Sequence, residues 1–329
     1  MKIPTQVLDI ANDIRDMKIR GAGRIARSAA NALKIAAELY EGSEKAEEFV
    51  NYMERIGSLL KSTRPTAVSL PNAVSYVLSR MRSCVERGGD FMEVKASTIK
   101  AAREFIESSI NAVKLIGLIG SRILRNGDVV LTHCNSSAAL SVLKHAKVQG
   151  KNIRVIATET RPRFQGYITY KALLNMGIKA TLIPDSAVRF FMKDVDRVIV
   201  GADTVTANGA VVNKVGTSLI ALAAHEARVR VFVAAESYKF SPATVLGELI
   251  TIEERSPLEV VSKEYLASVK RVNVRNPAFD VTPPEYIDAI ITEKGVIPAK
   301  AAILVLTEEY GRLIEEGLTK ISLDLDTLP

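Results

Sequence analysis

The amino-acid sequence predicts an α/β protein in which a helical N-terminal domain precedes a doubly wound, mostly parallel sheet. Up to about residue 122, apolar residues recur every three or four positions and alanine is frequent, as in packed helices. Beyond that point, short β-branched runs alternate with amphipathic helices, which is the pattern of consecutive βαβ units. The change of pattern divides the 329 residues into a helical domain, 1–122, and a Rossmann-like α/β domain, 123–329.

The helical domain is predicted to contain five helices separated by glycine and proline signals. Gly42 and the pair Gly88-Gly89 stop two of the helical patterns. Residues 62–66 are predicted to form a loop, because the residue before Pro65 disfavours the helical conformation. The five helices are expected over residues 5–14, 24–40, 46–60, 72–86 and 92–124.

The α/β domain is predicted to alternate strands and helices. The proline-rich segment 276–284 is expected to be an extended loop, followed by a strand and a helix that reaches about residue 317. Strands are expected over residues 129–132, 152–158, 180–183, 197–200 and 229–234. Helices are expected over residues 136–149, 167–176 and 217–227.

Composition limits the classes of protein to which the chain can belong. Its 47% hydrophobic and 25% charged residues are typical of soluble globular proteins, and no apolar run reaches the ~18 residues of a membrane span. The N-terminus lacks a signal-peptide pattern, which predicts a cytoplasmic protein without a membrane partner. Two cysteines and three histidines, with neither CxxC nor HxxxH spacing, predict no disulfide framework and no metal site, and no cofactor is expected.

The net charge of +7 predicts an anionic partner. A basic run of five or more residues is absent and aromatic residues make up only 5% of the chain, which argues against nucleic acid. The arginines instead fall in particular short motifs, as in phosphate-binding sites. A phosphorylated small molecule is therefore the expected partner.

A cysteine and an aspartate follow two of the predicted strands. Cys134 lies between strand 129–132 and helix 136–149, and Asp203 follows strand 197–200. If these strands are parallel neighbours, both side chains lie at the edge where open α/β sheets bind ligands. The helix N-terminus near Cys134 predicts a lowered thiol pKa, and thiolate is the reactive form of cysteine. A thiol and a carboxylate at this edge suggest a pair that transfers a proton.

Two arginine motifs of the helical domain are candidate phosphate sites. In RGAG at 20–23, the glycines let backbone amides approach an anion, and the helix that follows presents its positive end. Arg20, Arg24 and Arg27 are expected on one side of that helix. Arg64 lies in a stiff turn, and a fixed guanidinium binds phosphate through two hydrogen bonds. Solvated surface arginines remain the alternative for both motifs.

Polar motifs also follow other predicted strands. The arginine- and glutamine-rich segment 159–166 is expected at the same edge as Cys134. Asn213 and Lys214 precede a predicted helix and resemble a phosphate cradle, although their order is not that of a Walker A motif. Lys239 follows the fifth predicted strand. The chain has no GxGxxG fingerprint, which argues against a nicotinamide enzyme.

Two further residues are interpreted as structural. His133 adjoins Cys134, but neighbouring strand residues point to opposite faces, so His133 is not expected to be the base for the thiol. Cys84, in the helical domain, is expected to be a small buried apolar residue.

As a set, these motifs resemble the superfamily of sugar-1-phosphate aldose–ketose isomerases and the regulatory α, β and δ subunits of translation initiation factor 2B. The resemblance spans nearly the whole chain. It rests on RGAG at 20–23, STRPT at 62–66, LTHCNS at 131–136, ETRPRFQG at 159–166, GAD at 201–203, NKVGT at 213–217, AAESYKF at 234–240 and NPAFDVTPPEYIDAIITEKG at 276–295.

Within this superfamily, the chain resembles the enzymes. They carry a cysteine and an aspartate at the positions of Cys134 and Asp203, which the initiation-factor subunits generally lack. RGAGRIAR at 20–27 is similar to the archaeal ribose-1,5-bisphosphate isomerase family, whereas methylthioribose-1-phosphate isomerases usually show RGAPAIG. Arg24 agrees with this distinction, because a second phosphate needs cations where a methylthio group needs an apolar pocket.

The resemblance implies that α-ribose 1,5-bisphosphate is converted to ribulose 1,5-bisphosphate in AMP degradation, with Cys134 taking a proton and a protonated Asp203 giving one. It also implies AMP as an activator and a homo-oligomer, either a hexamer or a dimer. Methylthioribose-1-phosphate isomerisation and a non-catalytic regulatory role remain the alternatives. The implied substrate-binding residues are Arg20, Gly21, Ala22, Gly23, Arg64, Asn135, Ser136, Ser137, Asn213, Lys214 and Lys239.

Overall fold

A computed structural model describes residues 2–269 and 273–326. The chain divides into two compact units, Met1–Ala112 and Val113–Pro329. This division falls inside one continuous helix, Phe91–Ser121, whereas the predicted boundary at 122/123 follows the end of that helix.

The first unit is helical, as the sequence predicts. Ala26, Ala29 and Ala30 are fully buried on the second helix, and such small side chains let the fourth helix pack closely against it. The helices are α1 (Thr5–Arg15), α2 (Ala22–Glu38), α3 (Ala46–Thr63), α4 (Ser69–Glu86) and α5 (Phe91–Ser121).

Two local predictions in this unit are wrong. Helix α2 begins at Ala22, so Arg20 precedes the helix instead of sharing one side of it with Arg24 and Arg27. Helix α3 continues through Thr63, whose hydroxyl donates a hydrogen bond to the Leu60 carbonyl, so only the last three residues of 62–66 follow the helix.

The second unit contains the predicted alternation of strands and helices. Its strands are β1 (Val129–Thr132), β2 (Arg154–Thr158), β3 (Lys179–Ile183), β4 (Arg197–Gly201), β5 (Thr204–Val205), β6 (Val211–Lys214), β7 (Arg230–Ala234), β8 (Phe279–Thr282), β9 (Ala289–Thr292) and β10 (Gly295–Ile297). Its helices are α6 (Ser137–Val148), α7 (Gln165–Asn175), α8 (Val188–Phe191), α9 (Thr217–Glu226), α10 (Lys263–Ser268) and α11 (Ala302–Asp326).

The main sheet has the strand order β10-β9-β7-β4-β1-β2-β3. All neighbouring pairs are parallel except β10 with β9. From β1 the chain builds outward through β2 and β3, and then returns to β4 on the other side of β1. The strand order therefore reverses between β1 and β4, which is the switch point at which doubly wound folds bind ligands.

Both faces of the main sheet are covered by apolar side chains. Val129 and Leu131 belong to one buried cluster and Val130, between them, belongs to the other. This alternation along β1 is that of a strand buried on both faces, and it confirms the doubly wound architecture.

A second, three-stranded sheet of order β5-β6-β8 was not predicted. Segment 276–284, predicted as a loop, contains strand β8, which pairs antiparallel with β6 so that Asn213 lies opposite Asp280. The strands of this sheet are only two to four residues long, and the β6–β8 pair joins segments more than 60 residues apart. Local periodicity cannot reveal strands of this kind.

Candidate active site

Cys134 and Asp203 follow neighbouring parallel strands. Strand β1 pairs with β4 in the register Val130↔Arg197 and Leu131↔Val198. The two residues therefore flank the switch point at the carboxyl edge of the sheet, as the sequence predicts.

The backbone of Cys134 is held in an uncommon conformation. Its φ of 64° lies in the left-handed region, which costs a residue other than glycine about 1–3 kcal/mol. The Cys134 N–H donates to Thr160 Oγ1 at 2.9 Å, and the Thr169 hydroxyl donates to the Cys134 carbonyl at 2.7 Å. Thr160 precedes α7 and Thr169 lies on it. By holding the backbone of Cys134, these two threonines fix the orientation of its side chain.

His133 is structural, as predicted. Its ring is buried, with Nδ1 2.6 Å from Thr158 Oγ1 and Nε2 2.9 Å from the Val215 carbonyl. Because a carbonyl only accepts, Nε2 carries the proton and Nδ1 accepts from the threonine hydroxyl. Burial lowers the pKa of His133, which keeps the ring neutral and leaves no ring nitrogen to act as a base for Cys134.

The expectation of a lowered thiol pKa is wrong. Burial, together with the smaller effect of the negative charge of Asp203, raises the pKa of Cys134 to about 11. The Lys214 ammonium, the Asn135 backbone N–H and Arg255 act in the opposite direction without overcoming the burial. A helix terminus contributes about 0.3–1 kcal/mol near a charge, whereas two pKa units correspond to about 3 kcal/mol.

Lys214 lies close to the reactive pair. It is the last residue of β6, is 6% exposed, and places its ammonium 2.7 Å from the Ala278 carbonyl and 4.5 Å from the centre of the Phe279 ring. Burial lowers the pKa of Lys214, while Cys134 and Asp203 both raise it. One lysine thus interacts electrostatically with both members of the predicted pair.

Asn213 and the start of α9 do not form the expected phosphate cradle. The Gly216 N–H donates to the Asp280 carboxylate at 2.7 Å, and the Ser218 N–H donates to it at 3.1 Å, so a side chain of β8 already occupies these amides. Asn213 is buried and donates through Nδ2 to the Thr217 hydroxyl at 3.0 Å. Burial raises the pKa of Asp280 to about 6.

Lys239 is placed at the same edge of the sheet, after β7. It is 6% exposed and its ammonium lies 2.6 Å from the carboxylate of Glu236, which is fully buried and also accepts a hydrogen bond from the Tyr238 hydroxyl. Lys239 is therefore a fixed cation rather than a solvated one.

The residues after Cys134 begin helix α6. Ser136 is the N-cap and accepts a hydrogen bond from the Ala139 N–H, while Asn135 Oδ1 lies 3.1 Å from the Thr169 hydroxyl and shares its proton with the Cys134 carbonyl. A Cβ added to Gly201, at the end of β4, would lie 2.5 Å from Ser136 Cβ. The close approach of these two chain segments requires glycine at that position. Ser137 and Asn135 are exposed.

The arginines of 159–166 contact residues 259 and 260 instead of Cys134. Arg163 pairs with Glu259 at 2.8 Å, and Arg161 donates to the Val260 carbonyl at 3.3 Å. The part of this motif that contacts Cys134 is Thr160. The motif thus contacts the site through the hydroxyl of Thr160, whereas its density of arginine and glutamine was the reason to expect it there.

The predicted residues of the first unit lie around two helix ends. Arg20 is exposed and donates through Nε to the Met17 carbonyl, and Gly21 is the N-cap of α2 with a φ of 85°. Ala22 and Gly23 form the first turn of α2. Arg64 is the C-cap of α3.

Three residues of the second unit were missed by sequence reasoning: Arg255, Asp280 and Glu236. Arg255 and its neighbours Glu253 and Glu254 form a short run of opposite charges, which usually indicates a solvated surface. The position of residues 253–255 beside the site follows only from their pairing with residues 276–278.

The part of the chain that the structure describes has neither a metal-binding cluster nor a membrane-spanning helix. No group of three or more His, Cys, Asp or Glu side chains in residues 2–269 and 273–326 is arranged to hold a metal ion. None of the helices in this part of the chain combines the length and the apolarity that crossing a membrane requires.

Comparisons with known proteins place the chain in a family. The ribose 1,5-bisphosphate isomerase of Thermococcus kodakarensis is 51% identical over 312 residues, which cover 94% of this chain and 97% of that protein. The enzyme of the same name from Pyrococcus furiosus is 53% identical over 310 residues, covering 94% and 95%. The crystal structure of 5-methylthioribose 1-phosphate isomerase from Pyrococcus horikoshii has a TM-score of 0.73 at 32% identity and covers 93% of this chain and 87% of that one. Residues 18–299 match the model of the Initiation factor 2 subunit family, and the chain therefore belongs to that family.

Proposed function

We propose that this protein is an aldose–ketose isomerase that converts α-ribose 1,5-bisphosphate to ribulose 1,5-bisphosphate. The observation that carries the proposal is the placement of Cys134 and Asp203 on either side of the switch point, with Lys214 interacting with both. A thiol, a carboxylate and an ammonium at one edge provide groups that hold and move protons.

The relatives support ribose 1,5-bisphosphate as the substrate. Proteins with that activity in their names are 51% and 53% identical to this chain over most of its length, whereas a relative named methylthioribose-1-phosphate isomerase is 40% identical. The net charge of +7 and the fixed cations Lys214 and Lys239 agree with a substrate that carries two phosphates.

The reaction needs proton transfers at four atoms: the ring oxygen, C2, C1 and the C2 hydroxyl oxygen. Ring opening breaks the bond between C1 and the ring oxygen, and that oxygen gains a proton. Removal of the C2 proton gives an enol, and protonation at C1 with loss of the C2 hydroxyl proton leaves the ketone at C2. We assign Cys134 to the removal of the C2 proton and Asp203 to the donation of a proton.

The raised pKa of Cys134 adds a condition to this assignment. The thiol is protonated in the free protein and must lose its proton before it can act as a base. Lys214 and Arg255 lower the pKa of the thiol, so both favour the thiolate when it forms.

The proposal includes the remaining substrate-binding residues. In the second unit these are Asn135, Ser136, Ser137, Asn213, Lys214 and Lys239. In the first unit, the motif residues Arg20, Gly21, Ala22, Gly23 and Arg64 are assigned to the binding of phosphate. The positive φ of Gly21 and the exposure of Arg20 support an anion-binding role for this helix start.

A phosphorus NMR time course with ribose 1,5-bisphosphate tests the reaction. Wild type should produce ribulose 1,5-bisphosphate, Cys134→Ser should not, and Cys84→Ser should match wild type because Cys84 is buried in the helical unit. Turnover by Cys134→Ser near the wild-type rate would refute the role of Cys134.

The same experiment with 5-methylthioribose 1-phosphate decides between the two sugars. A clear preference of wild type for the methylthio sugar would overturn the proposed substrate. No turnover of either sugar would favour a non-catalytic role of the kind that the family name indicates.

Activation by AMP and assembly into a homo-oligomer, a hexamer or a dimer, complete the proposal. The initial rate with and without AMP measures the first, and light scattering during size-exclusion chromatography measures the second. A rate unchanged by AMP, or a monomer at working concentration, would contradict the respective part.

A further inference from the structure

We propose that Arg255 is a further substrate-binding residue, whose guanidinium binds an anionic oxygen of the phosphorylated sugar beside Cys134. This inference rests on the proposed function and adds a cation that the motifs did not identify.

The backbone places Arg255 one chain segment away from Lys214. The Arg255 N–H donates to the Asn276 carbonyl at 2.9 Å, and the Ala278 N–H donates to the Glu253 carbonyl at 2.8 Å. The Ala278 carbonyl, in turn, accepts from the Lys214 ammonium at 2.7 Å. Residues 253–255 are thus paired with the segment that contacts the lysine of the site.

The side chain of Arg255 is enclosed, and only part of it is used. It is 12% exposed, and its Nε–H donates to Glu253 Oε1 at 3.1 Å. Within residues 2–269 and 273–326, no other side-chain hydrogen bond of Arg255 is formed. Both terminal amino groups therefore remain for a ligand, and their planar fork matches two phosphate oxygens.

This availability distinguishes Arg255 from Lys214 and Lys239, the two other cations described at this edge of the sheet. Lys214 donates to a carbonyl and Lys239 is paired with Glu236. The side chain of Arg255 is largely enclosed while its terminal amino groups stay available, and an anionic substrate oxygen is a partner that such donors can bind.

The charges around Arg255 also favour an anion. Its positive charge lowers the pKa of both Cys134 and Lys214, which places the guanidinium within electrostatic range of the thiol and of a second cation. Two cations repel each other until an anion lies between or beside them. A phosphate oxygen bound here would also lie near the thiol.

The test measures the affinity for ribose 1,5-bisphosphate by calorimetry, in the Cys134→Ser background so that no turnover occurs. Arg255→Gln should weaken binding by about ten- to a hundredfold, the effect of losing hydrogen bonds to a charged group. The matched control is Arg275→Gln, since Arg275 lies on the facing segment, pairs with Glu254 and is 75% exposed. It should change the affinity less than twofold.

A second variant tests whether a loss of affinity comes from the missing guanidinium or from misfolding. Arg255→Lys keeps the charge and loses the fork, so it should bind with intermediate affinity, and circular dichroism verifies that each variant is folded. A folded Arg255→Gln or Arg255→Lys protein with the same affinity as the background would overturn the inference.

Inorganic phosphate separates this inference from the proposed function. If the background protein binds no ribose 1,5-bisphosphate, the proposed substrate fails. Phosphate titrated into the same variants then tests Arg255 by itself, with weaker binding expected only for the changes at Arg255. Equal phosphate binding by Arg255→Gln and Arg275→Gln would refute the anion site.

Discussion

The thiol of Cys134 should be protonated at neutral pH in the free protein. Burial raises its pKa from 9.0 to about 11, which corresponds to about 3 kcal/mol against the thiolate. At pH 8 only about one molecule in a thousand then carries the thiolate, compared with about one in ten for a thiol of pKa 9.0.

The assay is the pH dependence of iodoacetamide alkylation, measured on Cys84→Ser so that Cys134 is the only cysteine. Since only the thiolate reacts, the rate constant should rise about tenfold per pH unit between pH 7 and 10, without a plateau. Restricted access to the thiol lowers every rate equally and leaves this shape unchanged. Mass spectrometry identifies the alkylated residue, and Cys84→Ser/Cys134→Ser provides the background.

A plateau below pH 9 would refute the reasoning, because it would show that the helix terminus and the nearby cations outweigh burial. Lys214→Met tests whether Lys214 lowers the pKa of Cys134. Removal of its positive charge should raise the pKa of Cys134 further and slow alkylation at pH 8.5. Faster alkylation of that folded variant would contradict the assigned interaction.

Three other predictions concern the structure around the site. Burial raises the folded-state pKa of Asp280 from 3.8 to about 6, so its stabilising contribution is present at low pH and is lost as the pH rises through 6. Relative to Asp280→Asn, the free energy of unfolding of wild type in urea should fall by up to about 3 kcal/mol between pH 4 and 7.5. Thr169→Val removes the hydroxyl that donates to the Cys134 carbonyl and should lower the free energy of unfolding by about 1–3 kcal/mol and reduce kcat more than it changes KM; an unchanged kcat would contradict a positioning role. Gly201→Ala should destabilise the protein by about 1–3 kcal/mol in thermal unfolding, because the new Cβ would lie 2.5 Å from Ser136 Cβ, and an unchanged Tm would show that α6 shifts freely.

The parts of the fold that local patterns encode were predictable. The alternation of β-branched runs and amphipathic helices identified strands β1, β2, β3, β4 and β7 to within two residues. The residue types that follow each strand located Cys134 and Asp203, since parallel strands bring their carboxyl ends to one edge. Pattern, spacing and the handedness rules of βαβ units suffice for this level of description.

The parts that depend on distant pairing were not predictable. Strand β8 contains Asp280 and is recognisable as a strand only through its partner β6. The same pairing brings Asp280 to the amides at the start of α9, and brings the neighbourhood of Arg255 to Lys214. A run of charged residues has the same appearance on a solvated loop and beside an active site.

The protonation states of the site residues were not predictable either, because they depend on burial by the whole fold. The motif around Cys134 correctly located a thiol near a helix N-terminus, but the local effect of that terminus is smaller than the cost of burying the thiolate. Burial acts on Lys214 in the opposite sense and lowers its pKa, so burial disfavours the charged form of the thiol and of the amine alike. A substrate phosphate bound beside Lys214 would favour the ammonium, and the ammonium lowers the pKa of Cys134. By this reasoning, the cations around the thiol link phosphate binding to the readiness of Cys134 to give up its proton.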